Sequence, residues 1–147
     1  MSLFISRFIT ASFLLICITN TSFADQTYAP QKVIYHINYP ETSRINATFT
    51  NISNHIAAVG EENIDLKVMI HGAALEYFLA ANEDEAKQVR LDTIQLEGAE
   101  LLFCGNTLDA YNVVIDNIYS AEKENRVQAG LPAIVALQQQ GYIYVRP

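Results

Sequence analysis

Apolar runs and helix-spaced apolar positions alternate from residue 32 to the end of the chain. Lys32 to Asn38 (KVIYHIN) is nearly continuous in apolar and aromatic residues, the pattern of a strand covered on both faces, and Tyr39-Pro40 closes it. Ile45, Phe49, Ile52, Ile56 and Val59 then recur at spacings of four and three, which places them on one face of an α-helix. Thr42 or Ser43 can cap the start of that helix, and Gly60 can end it. Asp65 to Ile70 (DLKVMI) reads as a second buried strand, ended by His71-Gly72, and a short apolar helix follows over Ala73 to Ala81. Asn82 with Glu85 three residues later has the form of a capping box, opening a helix that Gly98 stops. Glu100 to Phe103 (ELLF) is the third strand and runs into Cys104-Gly105-Asn106-Thr107. Leu108, Tyr111, Ile115 and Ile118 give the next helical stripe. Arg126 to Ala129 is a short strand ending at Gly130, Pro132 suits the first turn of a helix carrying Ile134, Val135 and Leu137, and Gly141 ends it. Tyr142 to Val145 (YIYV) is the fifth strand. Strands that alternate with helices are joined by crossovers, so the order predicts an α/β protein with a mostly parallel five-stranded sheet and helices on both faces. Alternation does not set the order of strands within the sheet.

The first residues have a different pattern. One charge, Arg7, precedes an apolar stretch from Phe8 to Ile18, and Ser22-Phe23-Ala24 offers small residues where a signal peptidase reads. This predicts a secretory signal peptide over residues 1–24, its core too short to span a bilayer. The mature chain, residues 25–147, is long enough for one domain and too short for two.

Cleavage removes Arg7 and no acid, so the formal charge moves from −7 to −8. An acidic surface without a basic run argues against binding to nucleic acid or to anionic lipid. Cys17 leaves with the signal, so Cys104 is the one cysteine of the mature chain and no intramolecular disulfide can form. A single exported thiol is buried and inert, pairs with another chain, or reacts.

In open parallel sheets ligands bind beyond the carboxyl ends of the strands. Those ends carry Asn38, His71-Gly72, Cys104-Gly105-Asn106-Thr107 and Gln128 to Gly130. Cys104 is the most reactive group among them. A helix starting at Asn106 or Thr107 would turn free N–H groups and its positive end toward the sulfur, favouring thiolate. Gly105 would remove bulk beside it. Free cysteine is also among the most buried residue types, so a reactive thiol and a packed core side chain both fit the local sequence. His71, at the end of a neighbouring strand, is a candidate base or charge partner for Cys104. His36, inside an apolar strand, reads as a hydrogen-bonded core residue. Cys104, His71 and His36 include soft and borderline donors, but no two have the local spacing of metal ligands, and no metal or cofactor is expected.

The segments Val33-Ile-Tyr-His-Ile-Asn38, Val68-Met-Ile-His-Gly72, Leu101-Leu-Phe-Cys-Gly-Asn-Thr-Leu108 and Val127-Gln-Ala-Gly130 resemble the DsrE-like (DsrE/DsrF sulfur-relay) family. The C-terminal stretch Leu137 to Pro147 is similar to exported members. The resemblance spans essentially the whole mature chain. It implies a three-layer α/β/α sandwich assembled into homo-oligomers, with Cys104 in the place of a cysteine that accepts sulfur as a persulfide and passes it on. Gly105, Asn106, Thr107, Asn38, Gly72 and Gly130 are then the residues expected to bind ligand beside Cys104 and His71. The expected partners are a thiol-containing protein or a small sulfane-sulfur donor or acceptor, in the periplasm of a Gram-negative bacterium. The alternatives are a non-enzymatic oligomeric binding or assembly module with a structural cysteine, and a metal-binding periplasmic protein.

Overall fold

The computed structural model describes residues 28–147. The expected signal peptide and its cleavage point lie outside them. Strands β1 (Gln31–Ile37), β2 (Ile64–Ile70), β3 (Glu100–Cys104), β4 (Arg126–Val127) and β5 (Ile143–Val145) form one sheet in the order β4-β3-β2-β1-β5. Each neighbouring pair is parallel, and each strand lies within two residues of its predicted bounds. The chain steps outward from β1 to β4 and then crosses back, so that β5 pairs with the opposite edge of β1. The direction of winding therefore reverses between β1 and β5.

The two faces are covered unequally. Val33, Tyr35 and Ile37 of β1, Leu66, Val68 and Ile70 of β2, and Leu101 and Phe103 of β3 point to one side. There they form the larger core with α1 (Thr42–Val59), α2 (Leu75–Ala80) and α3 (Glu85–Leu96). Phe49, Tyr77, Phe78 and Phe103 meet edge to face in its middle, the arrangement that aromatic quadrupoles favour. The alternate residues Ile34, Met69 and Leu102 face the other side. Ile134 of α5 (Gly130–Gln139) and Tyr142 cover them in a smaller core. The result is an α/β/α sandwich in which, among the described residues, one helix makes the second helical layer. Strand alternation puts His36 and Cys104 on that thinner side, past the carboxyl end of the small core. At its amino end Lys67 pairs with Glu100 and Asp65, and Tyr142 donates to Asp65.

Three local expectations are corrected. Helix α1 has Glu41 at its N-cap, with no side-chain cap from Thr42 or Ser43. Helix α3 is capped by Asp84, which accepts from the Lys87 N–H at 3.2 Å. Asn82 sits in the preceding 3-10 turn and donates to the Asn117 carbonyl instead. The stripe from Leu108 to Ile118 is not one helix. Helix α4 (Gly105–Ala110) is short, Asn112 has a positive φ of 54°, and Ile115 and Ile118 reach the core from a 3-10 turn and the residue after it. A left-handed residue breaks the helical ladder, and a turn can bury the same two isoleucines at helical spacing.

Candidate functional site

The site is built from the sulfur outward. Cys104 ends β3 and is itself the N-cap of α4, so the helix starts at Gly105, ahead of the expected Asn106 or Thr107. The residue is 7% exposed. Its Sγ accepts a hydrogen bond from the Gly130 N–H, at the start of α5, at 3.1 Å. Burial pushes the Cys104 thiol up. The Thr107 hydroxyl and the N–H groups of Gly130, Thr107 and Asn106 outweigh that burial, and the thiol lies below its ordinary range. A thiolate held by several donors is a better nucleophile near neutral pH than a free thiol.

Thr107 is the hinge of this arrangement. The Gly72 N–H donates to Thr107 Oγ1 at 3.0 Å, which leaves the hydroxyl proton for the sulfur. One side chain therefore ties the end of β2 to the thiol at the end of β3. Thr107→Val keeps the shape and removes both bonds. Alkylation of Cys104 by iodoacetamide at pH 7 is expected to slow about 2- to 10-fold, the equivalent of one hydrogen bond of about 0.5–1.5 kcal/mol. Losing the partner of the Gly72 N–H is expected to cost about 1–3 kcal/mol of stability. A pH–rate profile identical to the unmodified protein would remove Thr107 from the thiol's surroundings.

The glycines have roles different from the one expected. A Cβ on Gly105 would meet the carbonyl oxygens of Val127 and Gln128, each at 2.8 Å. Gly105 thus permits close approach of the backbone at the end of β4 and does not open a path to the sulfur. The glycine that lies against the sulfur is Gly130, where a Cβ would meet Cys104 Cβ at 3.1 Å and Met69 Sδ at 3.3 Å.

His71 and Asn38 fall beside a second group, near the reversal point between β1 and β5. His36 Nε2 lies 2.7 Å from His71 Nδ1, and His36 Nδ1 lies 2.7 Å from Tyr144 Oη. Asn38 Oδ1 accepts from Arg146 Nη2 at 2.7 Å and from Nε at 3.1 Å. Burial, then the neighbouring His71, then Arg146 lower the His36 pKa to about 4. Burial and Arg146 lower that of His71. Each shift favours the neutral ring. Tyr144 and Arg146 had no sequence signal as site residues, because each acts across strands far apart in the chain. Asn106 is exposed at the first turn of α4.

Among the described residues no three His, Cys, Asp or Glu side chains are grouped so that they could hold a metal ion. A groove of about 590 Å³ between α1 and α3, lined by Phe49, Ser53, Val89 and Arg90 among others, lies on the face opposite Cys104.

Solved structures share this architecture. The chain superposes on the protein of unknown function MTH1491 from Methanobacterium thermoautotrophicum with a TM-score of 0.67 and 23% identity, covering 80% of this chain and 99% of that one. That likeness concerns the fold. No curated protein matches the chain. The model of the DsrE/DsrF-like family matches residues 31–147, which takes in every strand and helix described above. The chain therefore belongs to the DsrE/DsrF-like family.

Proposed function

We propose that this protein carries sulfane sulfur as a persulfide on Cys104 and does so after export to the periplasm. Family membership supports a sulfur-relay role in general. The finer reading is carried by the sulfur of Cys104, which accepts from the Gly130 N–H at 3.1 Å at the sheet edge where parallel α/β proteins bind ligands. The leader pattern of residues 1–24 supports export.

In the loading step the Cys104 thiolate attacks the outer sulfur of a donor such as thiosulfate. A sulfur–sulfur bond forms on Sγ, the donor's own bond breaks, and its electron pair leaves with sulfite. The product is the anionic persulfide, with its charge on the outer sulfur. In the unloading step an acceptor thiolate takes the outer sulfur, and Cys104 departs as thiolate. Charge and atoms balance with no further reactant, and one reactive atom suffices for a carrier.

Intact-mass measurement after exposure to thiosulfate or polysulfide tests this. The expected result is a gain of one sulfur atom that reductant removes and that Cys104→Ser lacks. A second reading, a binding or assembly module with a structural cysteine, is favoured by the 7% exposure of Cys104. No adduct, with a thiol that labels only after denaturation, would establish it in place of the first.

A further inference from the structure

Tyr144, His36 and His71 form a hydrogen-bonded line across β5, β1 and β2, with two contacts of 2.7 Å. Ile70 and Phe103 are in register, so His71, just past the end of β2, and Cys104, the last residue of β3, stand at the carboxyl ends of neighbouring strands. The line thus runs along the carboxyl edge of the sheet toward the thiol. His36 is 4% exposed and both its ring nitrogens are engaged, so it is closed to any ligand. Tyr144, at 38% exposed, ends the line at the surface.

A neutral imidazole has one N–H and one lone pair, so a chain of two imidazoles and a phenol can run in only two directions. The charged group that acts on both rings is Arg146, and it disfavours a further positive charge there. Of phenol and neutral imidazole, phenol is the stronger acid and imidazole the stronger base. Tyr144 Oη–H therefore donates to His36 Nδ1. His36 then has its proton on Nε2 and donates to His71 Nδ1, which leaves the His71 proton on Nε2.

We propose that Tyr144 and His36 are positioning residues that hold His71 as its Nε2–H tautomer, presenting an uncharged donor beside Cys104 to an anionic sulfane-sulfur compound. This rests on the persulfide reading and extends it to the charge of the donor molecule. An anionic polysulfide or thiosulfate gains from a fixed N–H where negative charge passes to the leaving group. A neutral alkylating reagent does not.

The test uses the full mature protein and Tyr144→Phe, a change at an exposed position that keeps the ring. Long-range nitrogen–proton NMR reads the His71 tautomer. The Nε2–H form is expected in the unmodified protein, and a partial shift to Nδ1–H in the variant. Reaction of Cys104 with polysulfide is expected to slow about 3-fold in Tyr144→Phe, the scale of one modest hydrogen bond, with the iodoacetamide rate unchanged. A His71 proton on Nδ1 in the unmodified protein would overturn the assignment. So would a polysulfide rate that is unchanged, or equal slowing with both reagents, which marks a general disturbance. If Cys104 of the unmodified protein accepts no sulfur, the persulfide reading fails, and the tautomer spectrum still decides the positioning role of Tyr144 and His36.

Discussion

Gly105→Ala is expected to destabilise the protein by about 3 kcal/mol, at the upper end of what overpacking costs, because the obstructing atoms are backbone. The added Cβ would sit 2.8 Å from the carbonyl oxygens of both Val127 and Gln128 and 3.0 Å from Arg126 Nη2. Neither carbonyl can rotate away as a side chain would. Val127 pairs with Cys104 in the sheet, and Gly130, three residues on, donates to the sulfur. Displacing that backbone therefore draws the Gly130 N–H from Sγ, and the thiol is expected to move back toward its ordinary range. Gly130→Ala is the informative comparison. Its Cβ meets the flexible Met69 side chain and Cys104 Cβ at distances above 3 Å, so a smaller loss of stability is expected there. Urea unfolding of the two variants checks the pair of statements. A Gly105→Ala midpoint equal to that of the unmodified protein would refute the close approach.

Acid is expected to weaken the fold before most carboxylates titrate. His36 has a pKa near 4 in the folded protein against an ordinary value of 6.5. A depressed histidine is neutral when folded, while the unfolded chain takes up a proton as the pH falls below about 6.5. The stabilising contribution is full above that pH and is lost as the pH drops toward 4. For His36 the loss between pH 7 and pH 4 is about 3 kcal/mol. His71 and His55 are depressed in the same direction, chiefly by burial, and add to it. Denaturant unfolding at several pH values between 7 and 4 gives the slope, and His36→Gln, which cannot titrate, is expected to flatten it. A stability that is level across this window would mean that His36 keeps its ordinary affinity for protons.

Much of the architecture was legible from local patterns, and particular residues show where that legibility ended. The runs at Lys32 to Asn38 and Asp65 to Ile70 became β1 and β2 with a shift of one residue, because a strand covered on both faces has little tolerance for polar side chains. The stripe Ile45, Phe49, Ile52, Ile56 and Val59 is the buried face of α1. Helix boundaries were less legible. Asp84 caps α3 where Asn82 was expected, because Asn82 is engaged by the carbonyl of Asn117, which is distant in sequence. Cys104 stood out by its chemistry and its place at a strand end. The identity of its donors did not, since Gly130 comes 26 residues later and reaches the sulfur only because β4 lies beside β3.

Local patterns along the chain were enough for the class of fold, the parallel connections and the cysteine at a strand's carboxyl end. These follow from periodic burial and from the geometry of crossovers, both of which are local. Packing among the described residues set the strand order β4-β3-β2-β1-β5, the cover of one face by one helix and the line from Tyr144 through His36 to His71. His36 and Tyr144 are 108 residues apart in the chain and 2.7 Å apart in space. Hydrophobic spacing tells each segment which face to bury. Which segment becomes its neighbour depends on how the whole set of strands packs, and hydrogen bonds between side chains are made only after that choice.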